Sequence, residues 1–185
     1  MLKIPNILTI GRIILVPILV FVFFVPGPLG DWLACGIFII ASFTDFVDGF
    51  LARLLKQQSR LGEMLDPIAD KIIVVTALVL LVKNDVIAEI NIVAAIIILC
   101  REILVSGLRE YLAKFKLKMP VSQLAKVKTF FQMFSISILL AGTSGDKLLG
   151  GYGIDIGISL LWLSAILTVY TGYDYIKKGI DHALD

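Results

Sequence analysis

The sequence predicts an all-α integral membrane protein, a bundle of six transmembrane helices built as a single membrane-embedded domain over residues 1–185. Three observations carry that prediction. The composition is 58% hydrophobic, against about half for a soluble domain of this size, and the mean hydropathy is +0.95. Six segments, roughly 6–25, 32–54, 67–83, 88–110, 122–144 and 155–176, approach the ~20 mostly apolar residues that cross a bilayer. Finally, lysine and arginine fall very unevenly between alternate connections.

The first segment, within MLKIPNILTIGRIILVPILVFVFFVPG, has the basic start and apolar run of a signal peptide. Arg12 interrupts it and no small-residue cleavage site follows, so it reads as a retained first helix. Turn-like stretches then separate the spans in order: PGPLG, QQSRLGEMLDP, KNDVIAE, KFKLKMP and GTSGDKLLGGYG. The GGYG near residue 150 lacks the Lys-Ser/Thr of a phosphate loop and reads as a turn. Cys35 and Cys100 lie in apolar runs without zinc-type spacing and read as packing residues. A net charge of +2 gives no reason to expect a nucleic-acid partner. No internal repeat, low-complexity tract or linker divides the chain.

Of the 17 basic residues, only Lys83 and Lys147 fall on one side of the predicted bundle, leaving fifteen on the other with both termini. The positive-inside rule makes that side the cytosol. Helix rise converts sequence into depth, at about 1.5 Å per residue through a hydrocarbon core of about 30 Å. Asp45 lies 14 residues from Asp31, Asp70 lies 13 from Lys83, Arg12 lies 14 from Pro26, and Arg101 lies 12 from Glu89. All four therefore reach a layer roughly 10 Å beneath the cytosolic face. Charges from four helices at one depth imply a polar cavity open to the cytosol.

The stretch DFVDGFLARLLKQQSRLGEMLDPIAD supplies Asp45, Asp48, Asp66 and Asp70 to that cavity. A charge at this depth costs about 2.5 to 3.5 kcal/mol even on the lenient insertion scale, so it faces a cavity and finds partners. Asp45, Asp48, Gly49 and Ala52 share one helix face, and Asp66 and Asp70 share another one turn apart. Four facing carboxylates repel unless cations neutralise them, and hard oxygen donors without His or Cys suit magnesium or manganese. Four negative charges balance two divalent ions, which clamp a phosphoryl group when about 3.5 to 4 Å apart. Gly49 and Ala52 leave room for a nucleotide or diphosphate against the backbone. Salt bridges to Arg53, Arg60, Lys71 or Arg101 are one competing reading, which needs neither the paired spacing nor the small residues; a proton or ion pathway is another, which explains neither Gly49 and Ala52 nor the basic cluster opposite.

The pattern Asp45-x2-Asp48-Gly49-x2-Ala52-Arg53-x8-Gly62-x3-Asp66-x3-Asp70 resembles the defining motif of the CDP-alcohol phosphotransferases at all eight fixed positions over 26 residues. The resemblance implies six helices, cytosolic termini, a homodimer and a site facing the cytosol, here in the bacterial cytoplasmic membrane. It implies that Asp45, Asp48 and Asp66 bind the metals, with Asp70 contributing to the second metal and acting as general base. Gly49, Ala52, Arg53 and Gly62 would line the CDP pocket, with Arg53 on the diphosphate and Thr44 as a further contact. PNILTIGR also resembles the family's N-terminal stretch and suggests Asn6, Thr9 and Arg12 as helpers in the same pocket. The implied chemistry is phosphatidyl transfer from a CDP-linked lipid, CDP-diacylglycerol, to an alcohol, with CMP leaving and the acyl chains remaining in membrane lipid.

The acceptor must be read from charge elsewhere. Arg101, Arg109, Lys126 and Lys128 lie on the cytosolic halves of the fourth and fifth segments, and such a cluster suits a phosphate dianion. Ordinary positive-inside charge accounts for Lys114, Lys116 and Lys118. An acceptor that is itself a phosphate fits, and glycerol 3-phosphate is the simplest, giving phosphatidylglycerophosphate; IPNILTIGRIILVP and REILVSGLRE resemble the bacterial members that use it. Inositol phosphate, or phosphatidylglycerol as in cardiolipin synthesis, are same-family alternatives. An intramembrane prenyltransferase or a transporter are alternatives from other classes. His182, in the tail KKGIDHALD, reads as part of a solvated C-terminus, and Trp32 beside Asp31 as an interfacial anchor.

Overall fold

The computed structural model describes the backbone of residues 4–54, 60–114 and 123–184, and their side chains apart from those of 4, 5, 45–54, 60, 61, 63, 114, 174, 175 and 178–184. Among the described residues it is all-helical: α1 (Ile4–Phe23), α2 (Pro28–Leu54), α3 (Arg60–Lys83), α4 (Asn91–Lys114), α5 (Gln123–Leu140), α6 (Gly142–Leu148) and α7 (Gly153–Leu184). α1 packs against α2 and α3, whereas α7 packs against α5 and α4.

The exterior is apolar and part of the interior is polar. Phe21, Phe43, Ile103, Phe130, Ile166 and Val169 are exposed, while Asn6, Thr9, Arg12, Lys128, Gln132, Ser135, Ser164, Thr168 and Thr171 are buried. A soluble domain does the reverse with large apolar and charged side chains, whereas polar groups in lipid turn inward to find partners. The chain is a membrane protein. Within α1, α4 and α7 the segments Asn6–Phe23, Asn91–Ala113 and Gly153–Tyr173 are long and apolar enough to span a bilayer by themselves, and the bent pair α5–α6 adds a fourth candidate. α2 contributes a shorter apolar stretch, Pro28–Thr44.

Several boundaries differ from the sequence expectation, each for a physical reason. α3 starts at Arg60 rather than near 67, so Pro67 lies inside the helix. Proline is tolerated inside membrane helices because neighbouring groups re-satisfy the freed backbone. The Lys71 ammonium also donates to the Pro67 carbonyl at 3.0 Å, one turn back on the same helix. The supposed break QQSRLGEMLDP is thus largely helix. α3 ends in a Schellman motif: Val86 N–H donates to Leu81 O at 3.1 Å and Asp85 N–H to Val82 O at 3.2 Å, with Asp85 at φ 57°.

α5 stops at Leu140 instead of continuing to 144, and α6 leaves it at a bend of 100°. Gly142, at φ +53°, makes that corner against Asp31, where a Cβ would lie 2.9 Å from the carboxylate Oδ1. The same carboxylate accepts from Ser144 Oγ at 2.8 Å and Ser144 N–H at 3.3 Å. Asp31 at the start of α2 therefore anchors the corner. α7 runs on to Leu184, so the backbone of the tail around His182 is helical; the His182 side chain lies outside the described residues.

Candidate active site

The second half of the aspartate motif falls on one helix face. With α3 extended back to Arg60, Gly62, Asp66 and Asp70 recur at four-residue steps along it, the spacing that keeps side chains on one side. Gly62 is buried and the two aspartates are half-buried. The first half of the motif, Asp45, Asp48, Gly49, Ala52 and Arg53, lies on the last turns of α2; these side chains are outside the described residues. Thr44, just before them, donates back to the Ala41 carbonyl at 2.8 Å.

α1 brings a buried polar stripe to α3. Asn6, Thr9 and Arg12 are 8%, 1% and 1% exposed, in a helix that is otherwise apolar, glycine or proline. Thr9 Oγ1 donates to Asp66 Oδ1 at 2.5 Å, so one of the N-terminal helpers meets a motif carboxylate directly. A hydrogen bond to one oxygen restrains the rotamer of Asp66, whose carboxylate can accept further bonds.

A second polar group forms where α4, α5 and α7 meet. Glu102 Oε1 accepts from Lys128 Nζ and from Arg101 Nη1, the latter at 3.4 Å. Arg101 Nη2 donates to Thr171 Oγ1 on α7 at 3.1 Å. Lys128 is 2% exposed. A carboxylate shared by two cations leaves a local charge of one positive unit, held in a partly desolvated place where it attracts an anion more strongly than in water. Gly172 makes room for this arrangement, since a Cβ there would lie 3.2 Å from Arg101 Cγ.

Of the four expected phosphate-binding residues, the structure brings Arg101 and Lys128 together. Arg109 and Lys126 are exposed on α4 and α5. Sequence reasoning missed Glu102, which joins the first two. Its signal was available: it is a lone acid beside Arg101, deep in an apolar helix, where a charge has to be paired.

The two polar groups meet at a small cavity of about 40 Å³ between α3, α4 and α5. Its polar lining is Asp70, Lys71, Glu102, Thr129 and Gln132. Asp70, the last motif carboxylate, thus shares a cavity with the residue that holds Arg101 and Lys128.

The four motif aspartates fall on α2 and α3, and carboxylates are hard oxygen donors of the kind that suit magnesium or manganese. Among the described residues no group of three or more His, Cys, Asp or Glu is close enough to hold a metal; these include Asp66 and Asp70 but not the side chains of Asp45 and Asp48.

Comparison with known proteins places these features. The family model described as CDP-alcohol phosphatidyltransferase matches residues 2–170. A Rickettsia felis protein named CDP-diacylglycerol--glycerol-3-phosphate 3-phosphatidyltransferase is 45% identical over 175 residues, covering 95% of this chain and 94% of the relative. Proteins with the same name from Haemophilus influenzae and Cereibacter sphaeroides are 40% and 38% identical, covering 99% of this chain and 96% and 98% of their own lengths. With its motif, its buried polar interior and these matches over nearly the whole length, the chain belongs to the CDP-alcohol phosphatidyltransferase family.

Proposed function

We propose that this protein transfers the phosphatidyl group of CDP-diacylglycerol to sn-glycerol 3-phosphate, giving phosphatidylglycerophosphate and CMP. The name shared by relatives 38–45% identical over nearly the full chain supports this reaction. The observation within the fold that carries it is the shared cavity. Asp70 lies on one wall, and on the other Glu102 holds Arg101 and Lys128 as a cationic pair. That arrangement suits an acceptor with a hydroxyl at one end and a phosphate at the other.

In this reading the acceptor phosphate sits against Arg101 and Lys128, with Arg109 and Lys126 drawing the dianion in from the surface. Asp70 takes the proton of the primary hydroxyl as its oxygen attacks the lipid-side phosphorus. The new P–O bond forms as the bond to the bridging oxygen of CMP breaks. General-base assistance of this kind is worth about 10²- to 10⁴-fold. Asp45, Asp48, Asp66 and Asp70 are the residues that would hold two divalent cations. When bound, such ions neutralise the diphosphate and the developing charge. Thr9 holds the Asp66 carboxylate in place. Asn6, Arg12, Thr44, Gly49, Ala52, Arg53 and Gly62 line the CDP-lipid side, where small residues admit the nucleotide and arginine contacts the diphosphate.

The polar layer, the basic asymmetry and the family resemblance support a fold of six spans. The basic asymmetry also supports both termini and the site on the cytosolic side of the cytoplasmic membrane, and the family resemblance a homodimer. Purified protein given CDP-diacylglycerol, magnesium and glycerol 3-phosphate is expected to release CMP and form phosphatidylglycerophosphate. CMP release with inositol phosphate or phosphatidylglycerol but not with glycerol 3-phosphate would overturn the acceptor. No CMP release with any alcohol would overturn the enzyme reading.

A further inference from the structure

Gln132 lies on α5 one helical turn after Lys128, on the same face. It is 2% exposed, and its Oε1 is a buried acceptor without a donor among the described residues. Burying an unmet amide oxygen is unfavourable, so such a group in a native fold calls for an explanation. Thr168 on α7 also has an unmet buried hydroxyl, but it does not line the cavity that Gln132 shares with Asp70 and Glu102. Among the described residues, Gln132 combines an unmet acceptor with a space for a ligand group next to the proposed base.

The dimensions restrict what enters. Water needs roughly 10–15 Å³ of such space, so a cavity of about 40 Å³ takes a hydroxyl and the carbons beside it but not a phosphate. The phosphate therefore stays at Arg101 and Lys128. The four residues from Lys128 to Gln132 rise about 6 Å along α5, the scale of a three-carbon phosphate ester. A vicinal diol presents two adjacent hydroxyls, and the polar lining of the cavity includes the Asp70 carboxylate and, unlike it, the unmet Gln132 amide oxygen.

We infer that Gln132 is a specificity-determining residue whose buried amide hydrogen-bonds the middle, non-reacting hydroxyl of the acceptor while Asp70 faces the terminal one, selecting vicinal-diol phosphates. The inference rests on the proposed function. Which amide atom faces the diol does not alter it, because a hydroxyl both donates and accepts. A site with a buried group dedicated to a substrate hydroxyl discriminates strongly against the analogue that lacks it, because the group is left unpaired.

The test compares glycerol 3-phosphate with 3-hydroxypropyl phosphate, which keeps the phosphate and the reacting primary hydroxyl but lacks the middle one. The wild-type protein is expected to prefer glycerol 3-phosphate by about tenfold or more in kcat/KM. Gln132→Met, similar in length and apolar, is expected to lose that preference by slowing on glycerol 3-phosphate alone. The KM for CDP-diacylglycerol should remain unchanged. Equal losses on both acceptors in Gln132→Met would overturn the inference. So would a wild-type protein that uses the two acceptors equally well, a result needing no variant to fold. If the wild type uses neither but turns over another alcohol, the proposed function fails first and the inference with it.

Discussion

Thr9 on α1 donates a 2.5 Å hydrogen bond to Asp66 on α3, tying the N-terminal helix to a carboxylate of the motif. The bond is buried on the threonine side, where Thr9 is 1% exposed. A group that orients a metal-binding carboxylate typically contributes about 10- to 100-fold to metal affinity or activity. Thr9→Val, nearly the same shape without the donor, is therefore expected to raise the magnesium concentration for half-maximal CMP release about tenfold or more. Thr9→Ser should restore it. A magnesium titration of CMP release checks this, and an unchanged midpoint in Thr9→Val would reduce the contact to packing.

What the sequence disclosed about this site followed from where charge is affordable. Apolar runs and depth counting pointed to polar groups inside the bundle, because a charge in lipid has to find a partner. Arg12 and Lys128 do lie buried inside the bundle. The missed parts depended on which residues meet across helices. Nothing in the run FFQMF showed that Gln132 turns inward, and nothing in CREIL showed that Glu102 reaches Lys128 on another helix. Pro67 misled for a local reason. In a soluble helix it would mark a start or a break, whereas here it sits within α3 and the motif glycine Gly62 joins the aspartate face.

Asp70 shares its cavity with Glu102 and is the proposed base. Asp70→Asn keeps the shape but not the basicity, so turnover should fall by about 10²- to 10⁴-fold. Binding of CDP-diacylglycerol, measured directly with labelled lipid, should be largely retained. Near-normal turnover would remove Asp70 from that role.

Glu102 holds Arg101 and Lys128 side by side. Removing one member of such a buried group costs about 3–5 kcal/mol when the remaining charges are left fully uncompensated; Glu102 is 18% exposed on its side chain, so the loss should be smaller. Glu102→Gln is expected to lower thermal stability in detergent and to raise KM for glycerol 3-phosphate more than KM for CDP-diacylglycerol. Arg101→Ala and Lys128→Met should raise the acceptor KM more than Arg109→Ala and Lys126→Ala, because the latter two are exposed and screened. The reverse ranking would place the phosphate at the surface pair.

Gly172 offers a graded test of the same cluster from a residue outside it. A Cβ at this position would lie 3.2 Å from Arg101 Cγ and 3.7 Å from its Nε. Gly172→Ala therefore asks the arginine stem to yield by a few tenths of an ångström. Gly172→Val adds two further carbons in the same direction, and overpacking of that kind typically costs about 1–3 kcal/mol. Arg101 is also tied to Thr171 at 3.1 Å, so its guanidinium has little freedom to follow a displaced stem. The acceptor KM is expected to rise slightly in Gly172→Ala and several-fold more in Gly172→Val, with the KM for CDP-diacylglycerol unchanged in both. A Gly172→Val protein that unfolds less readily or binds both substrates normally would show that Arg101 is not held against α7 as the structure has it.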